Sequence, residues 1–186
     1  MSITHQLEYR AVYNYWKNKK AARSGVPYMN HITEGLKILA EVCDWSQPKT
    51  SYTHALNLEV VQRAFCLHGL VQSDTDLVKN YRREYSKCRG TEVMCLAMEY
   101  RNIANQFLST HLEANPTMQV SDIKLSVLPE VNFMLMADKV QNYKDFELYH
   151  RGTHPKSALL DQYFQMWLER LNVSAYEYNR LKLLIT

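Results

Sequence analysis

The stretch 31-HITEGLKILAEVC-43 sets Ile32, Leu36, Ile38, Leu39 and Val42 close to an i, i+3, i+4, i+7 stripe, the spacing of one apolar helix face. It predicts an amphipathic helix with His31 at its opening, and the same rhythm recurs along most of the chain. Leu7, Tyr9, Tyr13 and Trp16 suggest a first helix ending near Lys19 and Lys20, with a turn at 24-SGVP-27. Residues 57–70 are apolar enough to form a central helix, and 91–112 read as one long amphipathic helix. A further helix over 131–148 has a strongly apolar first half, and helices over 156–171 and 175–185 close the chain. The segments 44–55 and 113–122, with Pro48 and Pro116, read as loops, and 79–90 as a polar connection. No segment alternates as a strand would, and no repeat or low-complexity tract is present. The expected fold class is all-α.

A chain of 186 residues is long enough to bury one substantial core, so a single domain over 1–186 is expected. Hydrophobic residues at 46% and charged residues at 22% are globular values and argue against a disordered chain. The net charge of +3 is concentrated at the start: residues 1–25 carry five basic side chains against the single acid Glu8, which leaves the remainder at −1. A basic segment of this kind suits phosphate groups, although a solvated helix face explains it as simply. Nothing in this mild balance asks for nucleic acid as a partner. Cys43, Cys66, Cys88 and Cys95 show neither a CxxC pair nor a zinc-finger pattern. Cys43, Cys66 and Cys95 fall in apolar helical stretches, where reduced cysteine acts as a small hydrophobe. No signal-like run and no stretch of about 18 apolar residues appears, so a soluble, cytoplasmic protein is expected, with no membrane partner.

Three residues stand out for their chemistry. His31 opens a helix, His68 lies near the end of the central helix in 64-AFCLHGLVQSD-74, and Asp138 sits one turn beyond Phe133, Met134 and Leu135. A carboxylate buried there is costly unless it is paired, hydrogen-bonded or bound to a metal. A lone histidine is more often a satisfied core residue, but ligands in helical bundles come from separate helices, so distance along the chain does not keep these three apart.

The segments 23-RSGVPYMNHITEGLKIL-39, 65-FCLHGLVQSDT-75 and 136-MADKVQNYKDF-146 resemble, in order and approximate spacing, three motifs of the RelA/SpoT-type HD hydrolase domain, which hydrolyses (p)ppGpp. The segment 162-QYFQMW-167 is similar to an aromatic segment late in that domain, and the matches span about 10–172. The resemblance implies an all-α, HD-domain-like helical bundle with a manganese ion held by a histidine, a His-Asp doublet and a later aspartate. By position, His31 matches the first histidine, His68 the doublet histidine and Asp138 the last aspartate. Asn142 and Tyr163 resemble residues that contact the nucleotide, and Lys19, Lys20 and Arg23 would line the mouth of the pocket.

The departures are as informative as the matches. Gly69 stands where the doublet aspartate belongs, and Gln72 and Ser73 stand where the family has an acidic pair that activates the attacking water. Neither glutamine nor serine can act as a base near neutral pH, and a well-placed base typically contributes about 10²–10⁴-fold. Ala22 occupies the place of a guanine-stacking arginine, with Arg23 beside it. Asp74 and Asp76 are near enough that a shifted turn would let one substitute. Three readings follow. The first is a degenerate domain that binds or sequesters a phosphorylated nucleotide, with a divalent metal weakly held or lost. The second is an active metal-dependent phosphohydrolase with a rearranged site and a substrate other than (p)ppGpp. The third is a protein-interaction module on the same scaffold.

Overall fold

A computed structural model of the chain describes residues 7–21, 24–45, 56–71 and 90–186. Most of these residues are helical, with a lone bridge between Lys20 and Pro27 and no strand among the described residues. In chain order the elements are α1 (Leu7–Trp16), α2 (Tyr28–Trp45), α3 (Leu58–Val71), α4 (Thr91–Asn105), α5 (Ser109–Ala114), a 3-10 turn (Val120–Asp122), α6 (Pro129–Tyr149), α7 (Ser157–Arg170) and α8 (Ala175–Leu183). The all-α expectation is met. No described helix is long and apolar enough to cross a membrane.

The centre of the bundle is α3, buried along nearly its whole length, with α4 and α1 packed against it and α2 beside it. α6 lies along α2 and also touches α4, α7 and α8, so it has no solvated face over most of its length. The stripe read in α2 is the stripe that packs: Ile32, Leu36, Ile38, Leu39 and Val42 are all buried. Gly35 on α2 lets the two helices approach closely, because a Cβ there would fall on the ring of Phe65. α8 is started by a capping box, Glu177 N donating to Ser174 Oγ (3.2 Å) and Ser174 N to Glu177 Oε2 (2.8 Å).

Three expectations need correction. In α1 the inward face is not Leu7 and Tyr13, which are exposed, but Val12 and Glu8, both fully buried. Glu8 accepts a hydrogen bond from Arg63 of α3 at 2.9 Å, so an ion pair shifts the helix's buried face away from its apolar stripe. The helix over 91–112 is two helices. Leu108 is extended, and its N–H is accepted by His111 Nδ1 at 3.2 Å, so the chain turns and Phe107 inserts fully buried beside Tyr163 and Trp167. Burying that ring outweighs continuing the helix. The segment 113–122 is also more ordered than a loop, containing the end of α5 and the 3-10 turn. Cys43 and Cys66 are buried as expected, whereas Cys95 is exposed, and Cys88 lies outside the described residues.

Replacing Gly35 by alanine should lower stability by about 1–3 kcal/mol, the usual cost of overpacking a filled core. In an open helix the same change gains about 0.5–1 kcal/mol. A denaturation midpoint equal to or above that of the parent protein would show that α2 and α3 do not meet as described.

A buried histidine–histidine–aspartate cluster

α2, α3 and α6 each deliver one polar side chain to a common point. His31 comes from the first turn of α2, His68 from the last turn of α3 and Asp138 from the middle of α6. His31 Nε2 lies 3.2 Å from His68 Nε2 and 3.3 Å from Asp138 Oδ1, and His68 Nε2 is 3.9 Å from the same carboxylate oxygen. One potential ligand atom from each residue therefore lies within 4.8 Å of the others. Donors about 2.0–2.2 Å from one shared ion have separations of this order.

The surroundings decide which way the rings present their lone pairs. Gln141, one turn along α6, donates its amide Nε2 to Glu34 Oε2 and to Asp145 Oδ2, both at 2.9 Å. Its Oε1 is thereby left to accept from His31 Nδ1 at 2.6 Å, so His31 carries a proton on Nδ1. His68 Nδ1 in the same way donates to the backbone carbonyl of Phe65. In the neutral form of each ring, Nε2 is a bare lone pair. Two such nitrogens and a carboxylate oxygen facing one another are three acceptors with no donor between them. Only a cation or an extra proton relieves that arrangement, and the residues fit a divalent metal on this count. Carboxylates and carbonyls that fix the tautomer of a ligating histidine are a regular accompaniment of metal sites.

The electrostatics are consistent with this. Burial alone would raise the Asp138 carboxyl, but Lys139, then His31 and His68, hold it well below the usual range. Lys139 Nζ sits 3.1 Å from Asp138 Oδ2, and Asn142 donates to Oδ1 at 2.9 Å. Burial would lower the His31 imidazole, yet its hydrogen bond to Asp138 and that residue's charge raise it overall. His68, desolvated and beside His31, is pushed down to about 4. These directions favour His31 over His68 as the place for an extra proton.

A cavity of about 460 Å³ opens beside the cluster, within the size range of small-molecule sites. Trp16, Tyr28, Phe146 and Phe164 supply aromatic walls, and Lys20 and Asn142 supply polar ones. Trp16 and Tyr28 are stacked with centroids 3.8 Å apart, and Trp16 Nε1 donates to Gly69 O at 3.3 Å. A Cβ at Gly69 would meet Tyr28 Oη at 3.3 Å and Ile32 Cδ1 at 3.4 Å, so the tyrosine closes over the place where the resemblance would put an aspartate. Ser24 Oγ and His150 Nε2 border this cavity, buried and with no hydrogen-bond partner among the described residues.

The other expected site residues are scattered. Lys20 reaches the cavity, but the ammonium of Lys19 sits over the Tyr15 ring, 3.4 Å from its centroid. Asn142 joins the cluster through Asp138. Tyr163 is a core residue wedged against Phe107 and Phe164, its hydroxyl 3.4 Å from Lys139 Nζ, and it lines neither this cavity nor the one beyond Asp138. Arg23, Gln72, Ser73, Asp74 and Asp76 lie outside the described residues. Gln141, Glu34 and Lys139 were missed. Asp138, Gln141, Asn142 and Asp145 follow i, i+3, i+4, i+7 along α6, and that polar stripe on one face of the helix was the signal for Gln141.

Comparison with protein-family models, with curated proteins and with solved structures finds no match to this chain.

At alkaline pH, long-range nitrogen–proton NMR correlations should show both His31 and His68 protonated at Nδ1. Gln141→Leu should convert His31 to a mixture of tautomers and leave His68 unchanged. An Nε2-protonated form of either ring in the parent protein would contradict the described cluster.

Proposed function

We propose that this chain is a degenerate HD domain of the RelA/SpoT type that holds a divalent cation at His31, His68 and Asp138 and binds a phosphorylated nucleotide without hydrolysing (p)ppGpp. The observation that carries the reading is the convergence of two imidazole nitrogens and a carboxylate oxygen whose other polar atoms are committed elsewhere: Gln141 on His31, the Phe65 carbonyl on His68 and Lys139 on the second oxygen of Asp138, while Asn142 steadies the converging oxygen. Manganese is the ion the resemblance implies, and two imidazoles with one carboxylate also suit iron or zinc. A bound divalent ion would polarise a phosphoryl oxygen and offset its charge.

The protein's own groups would do the rest. The stacked Trp16–Tyr28 pair, with Phe146 and Phe164, gives a planar base an aromatic wall. Lys20 brings a positive charge to the same cavity. Ser24 Oγ and His150 Nε2 are orphaned polar atoms that a ligand's hydroxyls or ring nitrogens would satisfy. The limit on chemistry also has a local cause. Gly69 contributes no carboxylate, and Tyr28, which lies over it, is a poor substitute, because burial and then the charge of Asp138 raise its phenol and keep it neutral. With Gln72 and Ser73 in place of the acidic pair, no general base is supplied by the motif that carries one in the family. An alarmone or a nucleotide second messenger, bound intact, is the ligand class that fits this balance.

The protein purified natively should carry a stoichiometric divalent metal by elemental analysis, and mass spectrometry should find an intact nucleotide with it. His31→Ala and Asp138→Asn should each remove the metal. Turnover of (p)ppGpp with manganese supplied should stay far below about 1 s⁻¹, the low end of ordinary enzyme rates. Turnover at or above that rate would mean that a different acid activates water, and loss of activity in Asp74→Asn or Asp76→Asn would identify it. Neither metal nor nucleotide on folded protein would set the reading aside in favour of a protein-interaction role.

A further inference from the structure

A second cavity, of about 370 Å³, lies on the other side of Asp138 and Asn142 from the aromatic one. Its walls come from α4 and α6 and include Tyr100, Arg101, Asn105 and Lys139. The two cavities share Asp138 and Asn142, so they meet at the histidine–aspartate cluster.

The second cavity differs from the first in charge and in lining. Asp138, its only acid, is already engaged by Lys139, Asn142 and His31. Lys139 is one of the most deeply buried cations described, 7% exposed, with its ammonium 3.1 Å from Asp138 Oδ2 and 3.4 Å from the Tyr163 hydroxyl. Arg101 is half-buried and makes no hydrogen bond or ion pair among the described residues. A guanidinium is always charged and offers a rigid fork of N–H donors, which suits the oxygens of a phosphoryl group. Asn105 adds an amide, and Asn142 the N–H that it does not give to Asp138. Two cations and two amides around one engaged carboxylate leave the cavity with a net positive charge and a surplus of donors.

We propose that this second cavity is an anion subsite, built around Arg101, Lys139 and Asn105, that receives a phosphate or diphosphate group of the ligand whose base occupies the aromatic cavity. The assignment rests on the nucleotide reading for the identity of the ligand, but the subsite's own chemistry is independent of the metal. A ligand so placed crosses Asp138 and Asn142, with its base on one side of the cluster and its charged end on the other. The basic residues at the start of the chain, Lys19, Lys20 and Arg23, are then not needed to hold this group.

The test uses inorganic diphosphate and the full chain, stripped of metal so that diphosphate cannot bind by chelating an ion. Calorimetry should detect binding to the parent protein. Arg101→Met, which removes a half-buried charge with no partner to disturb, should weaken it about 10–100-fold, and Arg101→Lys should recover part of the loss. Metal content should be the same in the parent and Arg101→Met. Undiminished diphosphate binding in Arg101→Met, or none in the parent protein, would overturn the subsite. If the parent protein holds no metal but binds diphosphate through Arg101, the subsite stands and the cation reading falls. If a nucleoside lacking phosphate binds as tightly as its diphosphate to the parent protein, the subsite is overturned while the aromatic cavity keeps its role.

Discussion

A carboxylate with 4% exposure in the middle of α6 sets the terms for everything around it. Removing such a charge from water costs several kcal/mol unless its oxygens are matched. Asp138 is matched on every side: Lys139 on one oxygen, Asn142 and His31 on the other, with His68 just beyond. Three of these partners are held in turn: His31 by Gln141, His68 by the Phe65 carbonyl and Lys139 by the Tyr163 hydroxyl. Gln141 is fixed by Glu34 and Asp145, and Lys144 closes that outer ring at 2.6 Å from Glu34 and 2.8 Å from Asp145. The result is a polar plug that ties α2, α3 and α6 together where an ordinary bundle would place leucines. Its cost in desolvation makes sense in a protein that uses the charge.

The same plug explains why α6 is so thoroughly enclosed. One face carries the polar stripe to α2, and another sends Tyr143 and Phe146 against Phe164 of α7. The far end is tied to α7 through Tyr143, whose hydroxyl donates to Asp161 at 2.9 Å, and to α8 through Glu147, which accepts from Lys182 at 2.7 Å. Both cavities open along this one helix, so their geometry relative to each other is set by the rigidity of α6 rather than by a loop.

How much of this the sequence discloses depends on whether the relevant force is periodic. The apolar stripes of α2 and α3 were legible because hydrophobic burial repeats every three to four residues. The inward face of α1 was not, because Glu8 is buried with a long-range ion pair to Arg63 that leaves no periodic trace. The break after Asn105 was hidden for a similar reason: Phe107 fits the apolar pattern equally well in a continuous helix and in the turn that inserts it under α7. In the site, His31, His68 and Asp138 stood out as ligand types at positions expected to be buried. Gln141 and Arg101 did not, since an amide or a guanidinium on a helix reads as solvent-facing until the neighbouring helix is known. Tyr163 misled in the opposite direction, its hydroxyl suggesting a ligand contact while its ring fills the core.

Gly69 and Tyr28 tie the composition of this site to its packing. The glycine gives the phenol room, and Trp16, stacked on that phenol and bonded to the glycine's carbonyl, locks the pair in place. An acid introduced at position 69 would arrive against Tyr28 Oη and would have to push it, and with it Trp16, by a few tenths of an ångström. The effects of changes at positions 16, 28 and 69 are therefore coupled rather than additive. In evolutionary terms this is epistasis of a restrictive kind: with the aromatic pair packed over the glycine, a side chain at position 69 is accommodated only together with a change at position 16 or 28.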